Sequence, residues 1–244
     1  MPLRLGAPTG SFADFRPHQE ITKVSARIAL VHALVEAIAP INDAFTSAWP
    51  EARTFNLMDD SLSCDLAAAG TINEAMTERF IALTRYCISN GADAVQFTCS
   101  AFNRCIEAAQ ATMDIPVLKP DTAMIEDAFT YGPRLGVVVT LQPAVDSISE
   151  QVDAFAASMG VRPQLDVRLA EGALEAFRAG DAAEHDRRIA ATVARLGLCD
   201  VVMLGQYSMA RAAPLLRTAG NVPLLTGPAA AVRKLRELLI PSSQ

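Results

Sequence analysis

Arg27-Ile28-Ala29-Leu30-Val31 and Arg134-Leu135-Gly136-Val137-Val138 stand 107 residues apart in the sequence. The same shift lays Gly91-Ala92-Asp93-Ala94-Val95 on Leu198-Cys199-Asp200-Val201-Val202. It also lays Ile115-Pro116-Val117-Leu118 on Val222-Pro223-Leu224-Leu225. Three apolar runs, two Asp residues and two Pro residues recur in one register without a gap. A general likeness among βαβ units would explain the pattern but not the constant offset, so the chain reads as an internal duplication.

Short Val-, Ile- and Leu-rich runs alternate with longer amphipathic stretches, the pattern of βαβ units around parallel sheets. The predicted strands are Ile28–Val31, Thr54–Met58, Ala94–Thr98, Val117–Leu118, Leu135–Thr140, Gln164–Leu169, Val201–Leu204 and Leu224–Leu225. The predicted helices are Ala33–Ser47, Asn73–Asn90, Phe102–Thr112, Thr122–Thr130, Pro143–Met159, Gly172–Arg178, Ala182–Leu196, Ser208–Arg217 and Pro228–Leu239. The expected fold class is α/β, with two pseudo-symmetric Rossmann-like domains over residues 25–132 and 133–226 and a cleft between them. Residues 1–24 show no clear period and read as an irregular extension.

Composition excludes several classes. With 51% apolar and 20% charged residues, the chain can bury a core and is not intrinsically disordered. No apolar run reaches the roughly 18 residues of a spanning helix. A net charge of −6 with scattered Lys and Arg argues against a nucleic-acid or anionic-membrane partner. The five cysteines show no C-x-x-C pair and no metal-ligand spacing with the three histidines, so no metal site or disulfide framework is expected, and a cytoplasmic location is the natural reading. There is no G-x-G-x-x-G after the first strand, no Walker A loop and no G-x-S-x-G elbow. The start of the chain does not read as a signal peptide.

Ligands in open α/β sheets bind beyond the carboxyl ends of the strands. The residues there are His32, Asp59-Asp60-Ser61, Thr98-Cys99-Ser100, Lys119, Thr140, Gln206-Tyr207-Ser208 and Thr226. Cys99 falls at a strand-to-helix turn, where a helix N-terminus lowers a thiol pKa and offers an anion site. A thiol there suits proton transfer at carbon, whereas elsewhere a cysteine is a small buried hydrophobe. Lys119 either attracts an anionic substrate and depresses the Cys99 pKa or is a solvated lysine. His32 either binds a carboxylate or shuttles a proton, or is a hydrogen-bonded turn histidine. Asp59-Asp60-Ser61 either orients a substrate ammonium or caps a helix. Glu171 either reaches the cleft or sits in an ordinary turn. His18 and His185 have little to recommend them.

These residues resemble the aspartate/glutamate/hydantoin racemase superfamily over nearly the whole chain after about Val24. The likeness rests on the two βαβ halves, the Cys at the end of the first half's third strand, and Asp200-Val201-Val202-Met203-Leu204-Gly205 in the second half. It implies a cofactor-independent, usually dimeric enzyme acting on a small carboxylate, with aspartate or glutamate as the default class. It also implies a C-terminal helix, within residues 227–244, that returns to the first domain. Cys99 matches the family's catalytic cysteine. Thr98, Ser100 and Thr140 match substrate-binding positions. The second catalytic cysteine of the two-base racemases falls at Gln206, which the 107-residue offset lays on Cys99.

An amide neither accepts nor delivers a proton at neutral pH. Three consequences are open. Tyr207, Ser208 or His32 supplies the second acid/base, although Tyr and Ser would need strong tuning. Alternatively the reaction needs one proton transfer, as in the related arylmalonate decarboxylases, where Phe97, Phe102 and Met209 would suit an apolar substituent. Or the cleft binds a small carboxylate without turning it over.

Overall fold

The computed structural model describes residues 25–219 and 222–240. The expected extension 1–24 and residues 241–244 lie outside the described residues. The first half runs β1 (Arg27–His32), α1 (Ile38–Ala48), β2 (Arg53–Met58), α2 (Ser61–Ala69), α3 (Glu74–Ser89), β3 (Ala94–Phe97), α4 (Asn103–Gln110), β4 (Val117–Leu118) and α5 (Thr122–Ala128). The second runs β5 (Arg134–Val139), α6 (Gln142–Met159), β6 (Gln164–Leu169), α7 (Ala173–Arg178), α8 (Ala182–Val193), β7 (Val201–Leu204), α9 (Ala213–Ala219), β8 (Leu224–Thr226) and α10 (Gly227–Leu239).

Each half holds one four-stranded parallel sheet, ordered β2-β1-β3-β4 and β6-β5-β7-β8. The sheets repeat in register. Ile28 pairs with Ala94 as Leu135 pairs with Val201, and Val95 pairs with Val117 as Val202 pairs with Leu224. The edge strands depart from the gap-free repeat: Arg53 of β2 and Gln164 of β6, which open the two edges, stand 111 positions apart. The duplication therefore keeps strict length around the three inner strands and varies the first crossover, which faces solvent and tolerates insertion.

The matching Asp residues have a structural role. Asp93 accepts the backbone N–H of Arg27 at 2.7 Å, and Asp200 accepts that of Arg134 at 2.9 Å. Each carboxylate satisfies the donor at the start of its half's central strand and so ties β3 to β1 and β7 to β5 at the end away from the cleft. Both sheet faces are covered. One core joins Val95, Phe97, Phe80 and Ile106, and another joins Ile28, Leu30, Ile41 and Trp49. The second sheet packs Val137, Val139 and Met203 on one face and Val138, Ile189 and Leu204 on the other. These continuous apolar strands are what a doubly covered parallel sheet requires.

Two features differ from the sequence reading. α2 was not expected as a helix, because only Leu62 of its residues is buried and its apolar periodicity is weak. The predicted helices that would begin at Ala33, Phe102 and Ser208 open instead with 3₁₀ turns, Val35–Ala37, Ser100–Phe102 and Tyr207–Ala212. A 3₁₀ turn is tighter than an α turn, so it swings the chain off the strand end within three residues. At the other end of α3, Gly91 takes φ +78°, a conformation that lets the chain reverse into β3.

α10 packs Ala231, Val232 and Leu235 into the core of the first half, beside Ile28 and Leu30. Its first residue, Gly227, lies against the buried ring of Tyr207. A Cβ built there would stand 2.6 Å from Tyr207 Cε1. Gly227→Ala is therefore expected to lower stability by roughly 1–3 kcal/mol through overpacking. Urea unfolding checks this, and an unchanged midpoint would refute the contact.

Candidate active site

The carboxyl ends of both sheets face a cavity of about 960 Å³. Thr98, Cys99, Ser100 and Lys119 line it from the first half, and Thr140 and Gln206 from the second. Tyr207 and Ser208 also reach it. The repeat has thus brought the residues expected from sequence to one place, except His32.

Cys99 has extended backbone and is partly exposed at the cleft, and the 3₁₀ turn Ser100–Phe102 follows it. The Ala101 backbone N–H reaches its sulfur and favours the thiolate, but burial outweighs that contact and pushes the thiol up to about 11, with Asp121 adding to the rise. The expectation of a lowered thiol pKa is therefore corrected. The physical reason is that α4 starts only at Asn103, one turn later, so its N-terminal charge is not centred on the sulfur. Nor does Lys119 draw the thiol down. Its ammonium is held 2.6 Å from Glu107 Oε1.

Gln206 is fixed by its partner strand. Its Oε1 accepts the Thr140 backbone N–H at 2.6 Å and the Thr140 hydroxyl at 2.9 Å. An amide with its oxygen held this way has both N–H donors left for a ligand. Tyr207 is buried, and its hydroxyl is 3.4 Å from the Pro120 carbonyl; burial raises its pKa well above the ordinary phenol value. Ser208 is buried too. Neither has the titration behaviour of a second acid/base.

His32 is fully buried and does not line the cavity. Asn56 Oδ1 lies 2.9 Å from its Nε2, which therefore carries the proton. Nδ1 then accepts the Thr98 hydroxyl, also at 2.9 Å. His32 sets the Thr98 side chain from behind the cleft wall, and the Thr98 proton is occupied there. Burial lowers the His32 pKa.

Other candidates fall elsewhere. Asp59 is paired with Arg79 at 2.5 Å and takes the Ser61 hydroxyl at 2.9 Å, so it braces α2. Phe97, Phe102 and Met209 are core residues and do not line the cleft. Its apolar walls come from residues such as Leu66, Ile72, Leu141 and Phe155. Glu171 offers its backbone carbonyl to Arg188 and does not line the cavity. Thr226 is buried at the smaller pocket beside α10. His185 is buried against Asp186, and His18 lies outside the described residues. All five cysteines are free. Among the described residues no His, Cys, Asp and Glu cluster could hold a metal ion, and no helix is long and apolar enough to cross a membrane.

Two cleft residues escaped the sequence reading. Arg104 lines the cavity on α4, one turn beyond the thiol segment. Asp121 is 2% exposed and lines it at the start of α5. An Asp before a helix reads as an N-cap, yet Asp121 makes no side-chain cap bond. Its position two residues beyond the end of β4 was the available signal.

The Asp/Glu/Hydantoin racemase family model matches residues 32–235. No curated protein matches the sequence. Among solved structures, a glutamate racemase from Bacillus anthracis superposes with a TM-score of 0.68 at 14% identity, over 89% of this chain and 82% of that one. An allantoin racemase from Klebsiella pneumoniae gives 0.64 at 19%, over 88% of each chain. An unliganded arylmalonate decarboxylase gives 0.58 at 16%, over 90% of this chain and 95% of that one. At these identities the likeness is one of fold.

His32 yields a prediction independent of any substrate. Its folded pKa is below the unfolded value near 6.5, so the unfolded chain binds the proton first. The stability that neutral His32 supports is lost as pH falls below about 6.5. Side-chain ¹⁵N NMR is expected to show a neutral, Nε2-protonated ring at pH 6, and a charged imidazolium there would overturn the assignment.

Proposed function

The chain belongs to the Asp/Glu/Hydantoin racemase family, and we propose that it is a cofactor-independent enzyme that moves a proton at the carbon beside a carboxylate, with Cys99 carrying the proton. The observation that carries this reading is the pair of equivalent positions in the cleft. One holds a thiol, and the other holds an amide locked onto Thr140.

A thiol and a fixed amide suit a one-sided reaction. In a malonate-type substrate, the bond to one carboxyl group breaks and its electron pair passes to the remaining carboxylate as an enediolate. The Gln206 N–H donors stabilise that charge. The Cys99 S–H then protonates the carbon, CO2 leaves, and the thiolate regains a proton from solvent. The balance is one proton taken up for each CO2 released. A buried thiol, protonated at neutral pH, is already in the donor state this step needs.

Racemisation or isomerisation of a small carboxylate, with aspartate or glutamate as the default, is the second reading. Family membership favours it. It asks Cys99 to act as a thiolate and asks for a second proton-transfer group opposite. A cleft that only binds a carboxylate is the remaining alternative, and it would show ligand stabilisation without conversion.

Cys99→Ala is expected to cut CO2 release from substituted malonates by on the order of 10²–10⁴-fold. Undiminished release would sink the cysteine mechanism. In D2O the product should carry deuterium in a single configuration, whereas α-proton exchange with inversion would establish the racemase reading. Gln206→Glu keeps one oxygen on Thr140 but turns a second towards the ligand in place of the N–H donors. KM should rise by about 10-fold or more, the loss of a hydrogen bond to a charged group; an unaltered KM would remove Gln206 from the binding machinery.

A further inference from the structure

Asp121 presents a buried carboxyl group to a cavity that, on the proposed function, receives an anion. An ionised Asp121 would repel that anion, and the surroundings do little to keep it ionised. No Lys, Arg or His among the described residues forms an ion pair with it. Lys119, two residues earlier, is held by Glu107. The other groups facing Asp121 are Cys99 at the β3 end, Tyr207 after β7, and the neutral side chains of Ser100 and Gln151. Cys99 and Tyr207 bear no positive charge in any protonation state.

Gln151 on α6 supplies an independent sign. Its Nε2 approaches Asp121 Oδ2 only at 3.5 Å, and its Oε1 is buried without a partner. A carboxyl proton would give that stranded oxygen a donor once the amide turned over. Burial works in the same direction, holding Asp121 up to about 7 against the Ser100 and Gln151 contacts and the Lys119 charge, which favour the anion.

We propose that Asp121 meets the substrate as a neutral carboxylic acid and donates its O–H to a substrate carboxylate oxygen. The proposal rests on the carboxylate-binding reading of the same cleft. Together with the Gln206 amide it gives each half of the molecule an uncharged donor at the cavity. Such a donor holds a carboxylate without forming an ion pair that would stabilise the ground state and the transition state alike. It also makes binding conditional on a proton, because the anionic form of Asp121 must be reprotonated first.

Two variants separate this role from mere packing. Asp121→Asn keeps the shape and a permanent donor, and Asp121→Ala removes both. Wild-type kcat/KM for malonate decarboxylation should fall as pH rises above about 7. Asp121→Asn should lose that alkaline limb and match or exceed wild type at high pH. Asp121→Ala should fall by about 10-fold or more at every pH. An Asn variant as impaired as the Ala variant, or one with the wild-type alkaline limb, would overturn the proposal.

A second readout does not need turnover. Calorimetry of phenylmalonate binding to Cys99→Ala protein, in buffers of different ionisation enthalpy, measures proton uptake. On a Cys99→Ala background at pH 8, Asp121 should take up close to one proton per ligand, and the Asp121→Asn double variant should take up essentially none. Equal uptake by the two would overturn the role of Asp121. Cys99→Ala protein that still releases CO2 would instead refute the cysteine reading, so the two failures are distinguishable.

Discussion

The Gln206 carbonyl takes two hydrogen bonds from one residue, the Thr140 amide and the Thr140 hydroxyl, and the second wall of the cleft depends on that contact. β5 delivers Thr140 at its carboxyl end and β7 delivers Gln206 beside it, because the two strands are paired with Val138 opposite Leu204. The side chain cannot turn its oxygen to the cavity without stranding a backbone N–H. Strand pairing thus fixes not only where Gln206 stands but which end of the amide faces a ligand. The first half does something analogous with Thr98, whose hydroxyl is turned back onto His32 and leaves the neighbouring Cys99 to face the cavity.

Scaffold and site have different symmetry. The clasps made by Asp93 and Asp200 recur because every copy of the sheet needs a partner for the first N–H of its central strand. Nothing of that kind constrains the residue after the third strand of each half, which points into solvent-filled space. There one copy has a thiol and the other an amide. An amide can hold charge in place but cannot exchange a proton, so the two faces of a bound ligand meet chemically unlike walls.

The fold was largely legible because its signal is long and repeated. Buried parallel strands are apolar throughout, and the offset between the halves fixed three strands per sheet. α2 was not legible, since nearly all its residues stay outside the core. The openings of three predicted helices were misread as α because composition does not distinguish a tight 3₁₀ turn from a first α turn. Strand-end position sufficed to gather Cys99, Ser100, Thr140 and Gln206. It did not distinguish His32, whose side chain points to Asn56 and Thr98, from a residue facing the cleft. Asp121 was passed over for the opposite reason: its local pattern has an ordinary explanation, and only its burial and missing cap bond show that the explanation fails. The thiol pKa was misjudged because helix position was weighed and desolvation was not.

Desolvation is also what makes the site coherent. The charges at its edge are largely paired, Lys119 with Glu107 and Glu36 with Arg178, while the interior groups are a thiol, an amide and a carboxyl held away from water. Burial raises the pKa of Cys99 and of Asp121, and for acids of that kind the raised value favours the proton-bearing form. The same low-polarity environment therefore supplies a proton on sulfur and suppresses a repulsive charge on carbon's neighbouring wall. A cleft of this kind need not attract its ligand with a buried cation. It selects an anion by offering donors with no competing water, and it retains a proton for the carbon that becomes negative during the reaction.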